Sequence, residues 1–168
     1  MKKIIITNGS GTCGKDTFAE IMGKYVNVCK YSSIDFFKEL GKTGRMSNEK
    51  REKERLLLSR LKSAFIDYND LPLRLCSEVI EQFLSTDNGN DILIIDIREA
   101  EEIEKITALY PQIITVLLIN NNVPVIMSNP SDAQVFDCIY DYIVDNSDTL
   151  EVLEESAITL LKELKFLI

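Results

Sequence analysis

Residues 9–17 read Gly9-Ser10-Gly11-Thr12-Cys13-Gly14-Lys15-Asp16-Thr17. The stretch matches the pattern G-x-x-x-x-G-K, with Asp16 where serine or threonine is usual and the hydroxyl of Thr17 one place later. An apolar run at 3–7 precedes it and predicts a buried strand, and an amphipathic stretch at 15–25 predicts a helix. A strand, a glycine-rich turn and a helix therefore occur in the order that a phosphate-binding loop requires.

The chemistry of this loop suits a chain of phosphate groups. Glycines let the backbone turn so that N–H groups point inward, and the helix presents the positive end of its dipole. Lys15 adds a mobile charge toward the terminal phosphates, so we expect it to be catalytic as well as nucleotide-binding. We assign all of residues 9–17 to a nucleotide site for ATP, and Thr17 to the shell of a Mg²⁺ ion. The alternative is an ordinary strand-to-helix turn with Lys15 as a surface charge.

Composition narrows the class of protein and its partners. The 168 residues suffice for one α/β domain and are short for two. The formal net charge of −8 repels polyanions, so we expect no nucleic-acid partner. The apolar run at 113–119 is far below the roughly 20 residues of a membrane helix, so we expect no membrane partner. The sequence leaves the oligomeric state open.

The cysteine pattern bears on the cellular compartment. The four cysteines show neither C-x-x-C pairing nor the spacing of metal ligands, and the chain has no histidine. We therefore expect reduced thiols and a cytoplasmic protein. Cys13 lies at the amino end of a predicted helix, where a thiol can have a lowered pKa, so its alkylation is plausible.

Short apolar runs alternate with longer amphipathic stretches, the order expected for parallel strands joined by crossover helices. Strands are predicted at 3–7, 27–31, 92–95, 113–119 and 142–144. Helices are predicted at 15–25, 47–68, 72–84, 99–109 and 150–167, with a shorter turn around 35–40 and a loop at 41–44. In the helix at 47–68, three-and-four spacing predicts one buried stripe, formed by Leu57, Leu58, Leu61, Ala64, Phe65 and Tyr68.

Four segments along the chain share motifs with one enzyme family. They are the G-K-D-T run at 14–17, the stretch S-S-I-D-F-F-K at 32–38, the strand I-I-D-I-R at 94–98 with Glu102 beyond it, and D-Y-I-V-D-N at 141–146 followed by Leu150 and Leu153. In these segments the chain resembles the deoxynucleoside monophosphate kinases, which belong to the adenylate-kinase-like P-loop kinases. The second segment is similar to that family's S-F-A-D-P-L-K at Ser32, Asp35 and Lys38, with Phe36 in place of the proline.

The resemblance implies a fold and a reaction. The fold is a three-layer α/β/α sandwich, the P-loop NTPase fold, with five parallel strands in the order 2-3-1-4-5. The domain spans 1–168, with an acceptor-side helical insertion at about 34–86 and a short lid-like segment at about 120–140. The reaction is ATP-dependent phosphoryl transfer to a small phosphorylated acceptor, a nucleoside or deoxynucleoside monophosphate.

Asp96 and Arg98 are the further catalytic candidates. If the strand of Asp96 lies beside the strand before the loop, both carboxyl ends meet at the nucleotide crevice. Asp96 would then help order Mg²⁺ or polarise the acceptor, and Arg98 would bind the acceptor phosphate or the transferred group. The alternatives are that Asp96 caps the next helix and that Arg98 pairs with Glu101 or Glu102. Acceptor binding is assigned to Asp35, Arg45, Arg55 and Arg98.

One feature departs from the family. Its kinases close an arginine-bearing lid over the phosphates, but residues 106–161 contain neither lysine nor arginine. An arginine that reaches the transferred group would come from 45–60 or from a second chain. Two further hypotheses therefore stay open: a kinase of another phosphorylated metabolite, because phosphomevalonate kinases of the animal type share the G-K-D loop, and a nucleotide-binding module with weak or no turnover.

Overall fold

The computed structural model of the chain describes residues 1–47, 52–123 and 134–168. Its centre is a five-stranded sheet in which all neighbouring strands are parallel and the order is β2-β3-β1-β4-β5. The strands are β1 (Lys3–Asn8), β2 (Val28–Ser32), β3 (Ile92–Asp96), β4 (Ile114–Ile119) and β5 (Tyr142–Asp145). The predicted fold class and strand order are therefore confirmed.

Helices cover both faces of this sheet. They are α1 (Lys15–Met22), α2 (Asp35–Thr43), α3 (Glu52–Asn69), α4 (Leu71–Ser85), α5 (Ala100–Leu109) and α6 (Leu150–Glu163), with a short 3₁₀ helix at Gln134–Phe136. Helices α1 and α6 pack on one face, and α4 and α5 pack on the other. Helices α2, α3 and α4 follow one another between β2 and β3, in the part of the chain assigned above to an acceptor-side insertion.

The isoleucine-rich strands are buried on both sides. In β1, Ile5 packs in the core beneath α1 and α6, whereas Ile4 and Ile6 pack in the core beneath α4 and α5. Alternate residues of a strand point to opposite faces, so a sheet covered on both faces needs apolar residues at every position. Each fully buried aliphatic side chain contributes about 1.5–3 kcal/mol relative to an exposed one.

Two predicted helices end earlier in the structure. Helix α1 ends at Met22 and not at the predicted residue 25, and Gly23 is its C-cap residue. Helix α6 stops at Glu163 and not at residue 167, because Lys165 adopts a left-handed backbone with φ 66°. That reversal lets the N–H of Phe166 donate to the carbonyl of Leu161 at 2.9 Å, which satisfies one of the last helical acceptors.

The predicted loop at 41–44 is wrong in part, because α2 continues through Gly41 to Thr43. A Cβ on Gly41 would lie 2.9 Å from the side chain of Met46, so the glycine serves close packing here. Ser47, where the next helix was predicted to begin, lies before α3, and residues 48–51 lie outside the described residues. Residues 124–133, about half of the expected lid-like segment, also lie outside them.

The predicted buried stripe on α3 is wrong. Leu57 is 42% exposed and Tyr68 is 80% exposed, whereas Lys62, at 2%, is the residue of this helix that the structure buries. The physical reason is the position of α3, which packs against the helices α2 and α4 as an outer layer. Phe65 contacts the rings of Phe36 and Phe37 on α2, with ring centroids 6.2 and 5.8 Å apart.

This difference in burial predicts how two substitutions affect stability. Ile80→Ala on α4 should lower the free energy of unfolding by about 2–5 kcal/mol, because Ile80 is fully buried against the sheet. Leu57→Ala should lower it by about 1 kcal/mol or less, since much of that side chain is in contact with water. Urea unfolding followed by circular dichroism measures both. Equal losses in the two variants would show that α3 does bury its leucine stripe.

Candidate active site

Two glycines of the loop at 9–17 are required by close approach. Gly9 has φ 151°, and a Cβ there would lie 2.4 Å from Cys13 Sγ and 2.5 Å from the Leu118 carbonyl oxygen. Gly14 has φ 98°, and its Cβ would lie 2.2 Å from Asn146 Nδ2. Side chains at these two positions would displace the loop from β4 and from the residue after β5, so the backbone path depends on glycine.

Two buried or half-buried amides hold this loop in place. Asn8, fully buried at the end of β1, accepts the N–H of Gly9 with Oδ1 at 2.7 Å. Asn146 donates through Nδ2 to the carbonyl of Cys13 at 3.0 Å. The Cys13 side chain packs into the apolar core with no exposed surface. The full burial of Cys13 shows that it fills space in the core, and it does not support the alkylation that its place at a helix amino end made plausible.

Lys15 lies over the loop. Its Nζ donates to the carbonyl of Gly9 at 2.9 Å and lies 3.5 Å from the carbonyl oxygen of Ser10. Neutral carbonyls are weaker partners for an ammonium than phosphate oxygens, because charge-assisted hydrogen bonds are roughly twice as strong. A bound triphosphate would therefore draw the ammonium away from the loop and toward its own oxygens.

The two residues after Lys15 both line the adjacent cleft but differ in exposure. Asp16, which stands where a hydroxyl is usual, forms an exposed ion pair with Lys30 of β2. Thr17 is half-buried in the first turn of α1 and lines the adjacent cleft. The residue that carries the displaced hydroxyl of the loop therefore borders the cleft.

Asp96 is held at the carboxyl end of β3, beside the loop. The parallel register pairs it with Thr7 of β1, and the Thr7 hydroxyl donates to its carboxylate. The main-chain carbonyl of Asp96 accepts the N–H of Ser33 at 3.2 Å. The amino end of α5 has Glu99 as its capping position, without a side-chain capping hydrogen bond. The geometry thus favours the crevice position for Asp96 over a helix cap.

Arg98 follows Asp96 on the segment between β3 and α5. Its main-chain carbonyl accepts the Nδ2–H of Asn8 at 3.2 Å, so one buried amide contacts both the loop and this segment. The alternative from the sequence was an ion pair of Arg98 with Glu101 or Glu102. In the structure, Glu101 pairs with Lys105 at 3.0 Å and Glu102 pairs with Lys62 at 2.5 Å.

A cleft of about 910 Å³ runs from the loop to α2 and α3. Of the residues predicted for catalysis, the acceptor or the metal, Lys15, Thr17, Asp35, Arg55, Asp96 and Arg98 line it. Arg45 does not: it lies exposed on the turn after α2, with φ 62°. Lys38, which the sequence identified only as a match to the family motif, also lines the cleft. So do three cations that the sequence did not single out, namely Lys30, Lys42 and Lys62.

Lys62 is the least expected of these residues. Its Nζ lies 2.6 Å from Glu99 Oε2, 2.5 Å from Glu102 Oε2 and 2.8 Å from the Ser33 hydroxyl. Burial raises the pKa of Glu102 to about 7, although the nearby Lys62 ammonium acts to lower it. Burial alone would lower the pKa of Lys62, but the two carboxylates outweigh it and raise that pKa. The lysine is therefore charged at neutral pH. A sequence signal existed, since Lys62 lies four residues after Leu58 and three before Phe65, on the face predicted to be apolar.

The oxygen ligands in the cleft suit a metal ion that binds together with the nucleotide. The described residues contain no cluster of three or more histidine, cysteine or acidic side chains able to hold an ion by themselves. Thr17 and Asp96 both line the cleft, and their hydroxyl and carboxylate would be the two protein oxygen ligands of such an ion. Mg²⁺ is commonly bound through one or two protein oxygens together with phosphates and water. The residues present therefore fit a Mg²⁺–nucleotide complex.

Comparison with known proteins identifies the fold. No family model matches the sequence, and no curated protein sequence matches it. Among solved structures, the chain is similar to the Mycobacterium tuberculosis APS kinase CysC in complex with AMPPNP and APS, at 12% identity, 98% coverage of both chains and a TM-score of 0.55. It is also similar to shikimate kinase from Aquifex aeolicus, at 11% identity, coverage of 96% of this chain and 98% of the kinase, and a TM-score of 0.52.

These similarities show that the chain has the fold of P-loop kinases. At such low identity they extend no further than the fold. Across the ranges that the structure describes, every helix is too short or too polar to cross a membrane.

The position of Lys15 predicts the effect of removing its charge. Lys15→Ala should weaken binding of ATP with Mg²⁺ at least about tenfold, or ~1.4 kcal/mol, because one full charge near the phosphates is lost. Lys24→Ala is the matched control, since Lys24 is exposed and pairs with Glu154 away from the cleft. Titration calorimetry measures both affinities. Equal affinities for wild type and Lys15→Ala would place the triphosphate elsewhere.

Proposed function

We propose that this chain is an ATP-dependent phosphotransferase that passes the terminal phosphoryl group to a small phosphorylated acceptor. One observation carries the proposal: the phosphate loop, Asp96 and Arg98 line the same cleft as the polar side chains of α2 and α3. A donor site and an acceptor site that share one cavity can bring two bound molecules within reacting distance. The P-loop kinase fold supports the same reaction class.

ATP is the proposed donor because of the loop. Its backbone N–H groups and the amino end of α1 favour bound anions, and Lys15 adds a charge for the terminal phosphates. A similar solved structure, the APS kinase, contains AMPPNP. When bound, Mg²⁺ would neutralise part of the phosphate charge, with Thr17 and Asp96 as the protein groups that hold its complex.

The protein's part in the reaction is positioning and electrostatic stabilisation, which dominate catalysis of phosphoryl transfer. Lys15 orients the triphosphate from the loop side. Arg98, on the adjacent β3–α5 segment, is placed to meet charge that spreads over the transferred group. Asp96, hydrogen-bonded by Thr7, keeps a fixed carboxylate at the edge of the sheet where donor and acceptor meet.

The acceptor side carries charge suited to a phosphate. Lys38, Lys42 and Arg55 line the cleft away from the loop. Lys38 pairs with Asp35 at 2.6 Å and Lys42 with Glu39 at 2.5 Å, within one turn of α2. Exposed pairs of this kind are worth about 0.2–1 kcal/mol, so an anionic ligand can compete for the lysines. Asp35 is then free to accept a hydrogen bond from another part of the acceptor.

For the acceptor itself we propose a nucleoside or deoxynucleoside monophosphate. The supporting observations are the sequence segments at Ser32, Asp35 and Lys38 and at Asp96 and Arg98, which resemble deoxynucleoside monophosphate kinases. A kinase of another phosphorylated metabolite is the second candidate. It is favoured by the lack of lysine and arginine in residues 106–161, where nucleotide kinases of this class carry their arginine lid.

A panel of acceptors tests the proposal and separates the candidates. ADP formation from ATP is followed with ribonucleoside monophosphates, deoxynucleoside monophosphates, non-nucleotide phosphorylated metabolites and no acceptor. Turnover that depends on a nucleoside monophosphate supports the first candidate, and turnover only with another metabolite supports the second. Tight ATP binding without acceptor-dependent ADP would mean a nucleotide-binding module and would contradict phosphoryl transfer.

The roles of Arg98 and Asp96 predict which kinetic constants change. With the acceptor that the panel identifies, Arg98→Ala should lower turnover by roughly 10²-fold or more, because the arginine acts mainly on charge formed in the transition state. Asp96→Asn should also lower turnover and weaken its dependence on Mg²⁺. ATP affinity should hardly change in either. Arg74→Ala, at an exposed position of α4, is the matched control.

An unchanged turnover and Michaelis constant in Arg98→Ala would remove the arginine from the mechanism. The charge on the acceptor would then be met by Lys38, Lys42 and Arg55, on the other side of the cleft.

A further inference from the structure

Lys62 contacts three separate parts of the fold with one ammonium group. It lies on α3, bonds the Ser33 hydroxyl after β2, and pairs with Glu99 and Glu102 at the start of α5. The side chain lines the cleft and yet is only 2% exposed. Glu102 is 5% exposed, and its Oε1 has no hydrogen-bond partner within the described part of the chain.

A contribution to folding stability is a poor explanation for the buried ion pairs of Lys62. Removing charges from water costs several kcal/mol per ion, and apolar side chains of similar volume are often as stable or more stable in such places. The incomplete hydrogen bonding of Glu102 adds to that cost. Buried ionic groups instead fix which surfaces meet, because a misplaced charge in a dry environment is unfavourable. Lys62 therefore serves to fix the relative position of the elements that it contacts.

The partners of Lys62 lie next to residues of the proposed site. Glu99 directly follows Arg98, so the pair with Lys62 holds the segment that presents the arginine. Ser33 donates its N–H to the Asp96 carbonyl at 3.2 Å, so the same ammonium is one residue removed from Asp96. On α3, Arg55 lies about two helical turns before Lys62, and both side chains line the cleft.

We propose that Lys62 is a positioning residue for phosphoryl transfer: its buried ammonium fixes α3, which carries Arg55, against the segment that carries Asp96 and Arg98. The inference rests on the proposed function, because it assigns the two segments to opposite sides of the reacting groups. The acceptor bound beside α3 then meets the phosphoryl group at a fixed distance. Lys62 itself acts through Glu99, Glu102 and Ser33 and touches neither substrate.

The kinetic test removes the charge at nearly constant volume. Lys62→Met should raise the Michaelis constant for the acceptor and lower turnover, with a combined loss of about 10- to 100-fold, because small misplacements of reacting groups cost that much. The dissociation constant for ATP should stay within about twofold. Lys53→Met, at an exposed position of the same helix, should behave as wild type. A general loss of structure would weaken ATP binding as well.

A second variant keeps the test decisive if the first one does not fold. Lys62→Met/Glu102→Gln removes the lysine and the most buried of its carboxylates together, and Glu99, 20% exposed, can be solvated. The folded double variant should show the same change in acceptor kinetics. Wild-type turnover and acceptor Michaelis constant in a folded variant of either kind would overturn the proposal.

Hydrogen exchange separates this inference from the proposed function. In the folded double variant, amides at 97–103 should exchange faster than in wild type, and amides of the loop at 11–17 should be unchanged. This readout needs no acceptor. If wild type transfers no phosphoryl group to any acceptor, the proposed function fails while faster exchange at 97–103 still shows that Lys62 holds the segment. Unchanged exchange there contradicts the positioning role.

Discussion

The parallel pairing of β1 with β3 is the constraint on which the candidate site depends. It places Thr7 opposite Asp96, so the phosphate loop that follows β1 and the Asp96–Arg98 segment that follows β3 leave the sheet side by side. Parallel strands bring their carboxyl ends to one edge, and ligands of open α/β sheets bind at that edge. If these two strands were not neighbours, Lys15 and Arg98 would not share a cleft.

Two buried polar groups contact the segment around Arg98 from opposite sides. Asn8 contacts the Gly9 N–H and the Arg98 carbonyl, and it donates to the Tyr140 hydroxyl at 2.7 Å. Lys62, on α3, contacts Glu99 and Ser33. The segment around Arg98 is thus fixed by an amide on the nucleotide side and by an ammonium on the acceptor side. Such support would let Arg98, the proposed catalytic cation, keep its place without being buried itself.

The sequence could predict the features that depend on local pattern. Isoleucine at consecutive positions identifies strands covered on both faces, and glycine spacing before Lys15 identifies the loop, because each pattern has a local physical cause. The stripe on α3 failed because periodicity shows that a helix is amphipathic but not what covers it, and here the cover is other helices. Lys62 could not be paired from sequence, since Glu99 lies 37 residues away and only the fold brings them together.

The most direct test of the proposed site is a crystal structure with a non-hydrolysable ATP analogue, Mg²⁺ and the acceptor. We predict terminal phosphates in the loop at 9–17, with Lys15 Nζ moved from the Gly9 carbonyl onto them. We also predict the acceptor between Asp35 and Arg98. An analogue bound elsewhere, with Lys15 still on the Gly9 carbonyl and the cleft between α3 and Arg98 holding neither molecule, would show that the site is assigned wrongly.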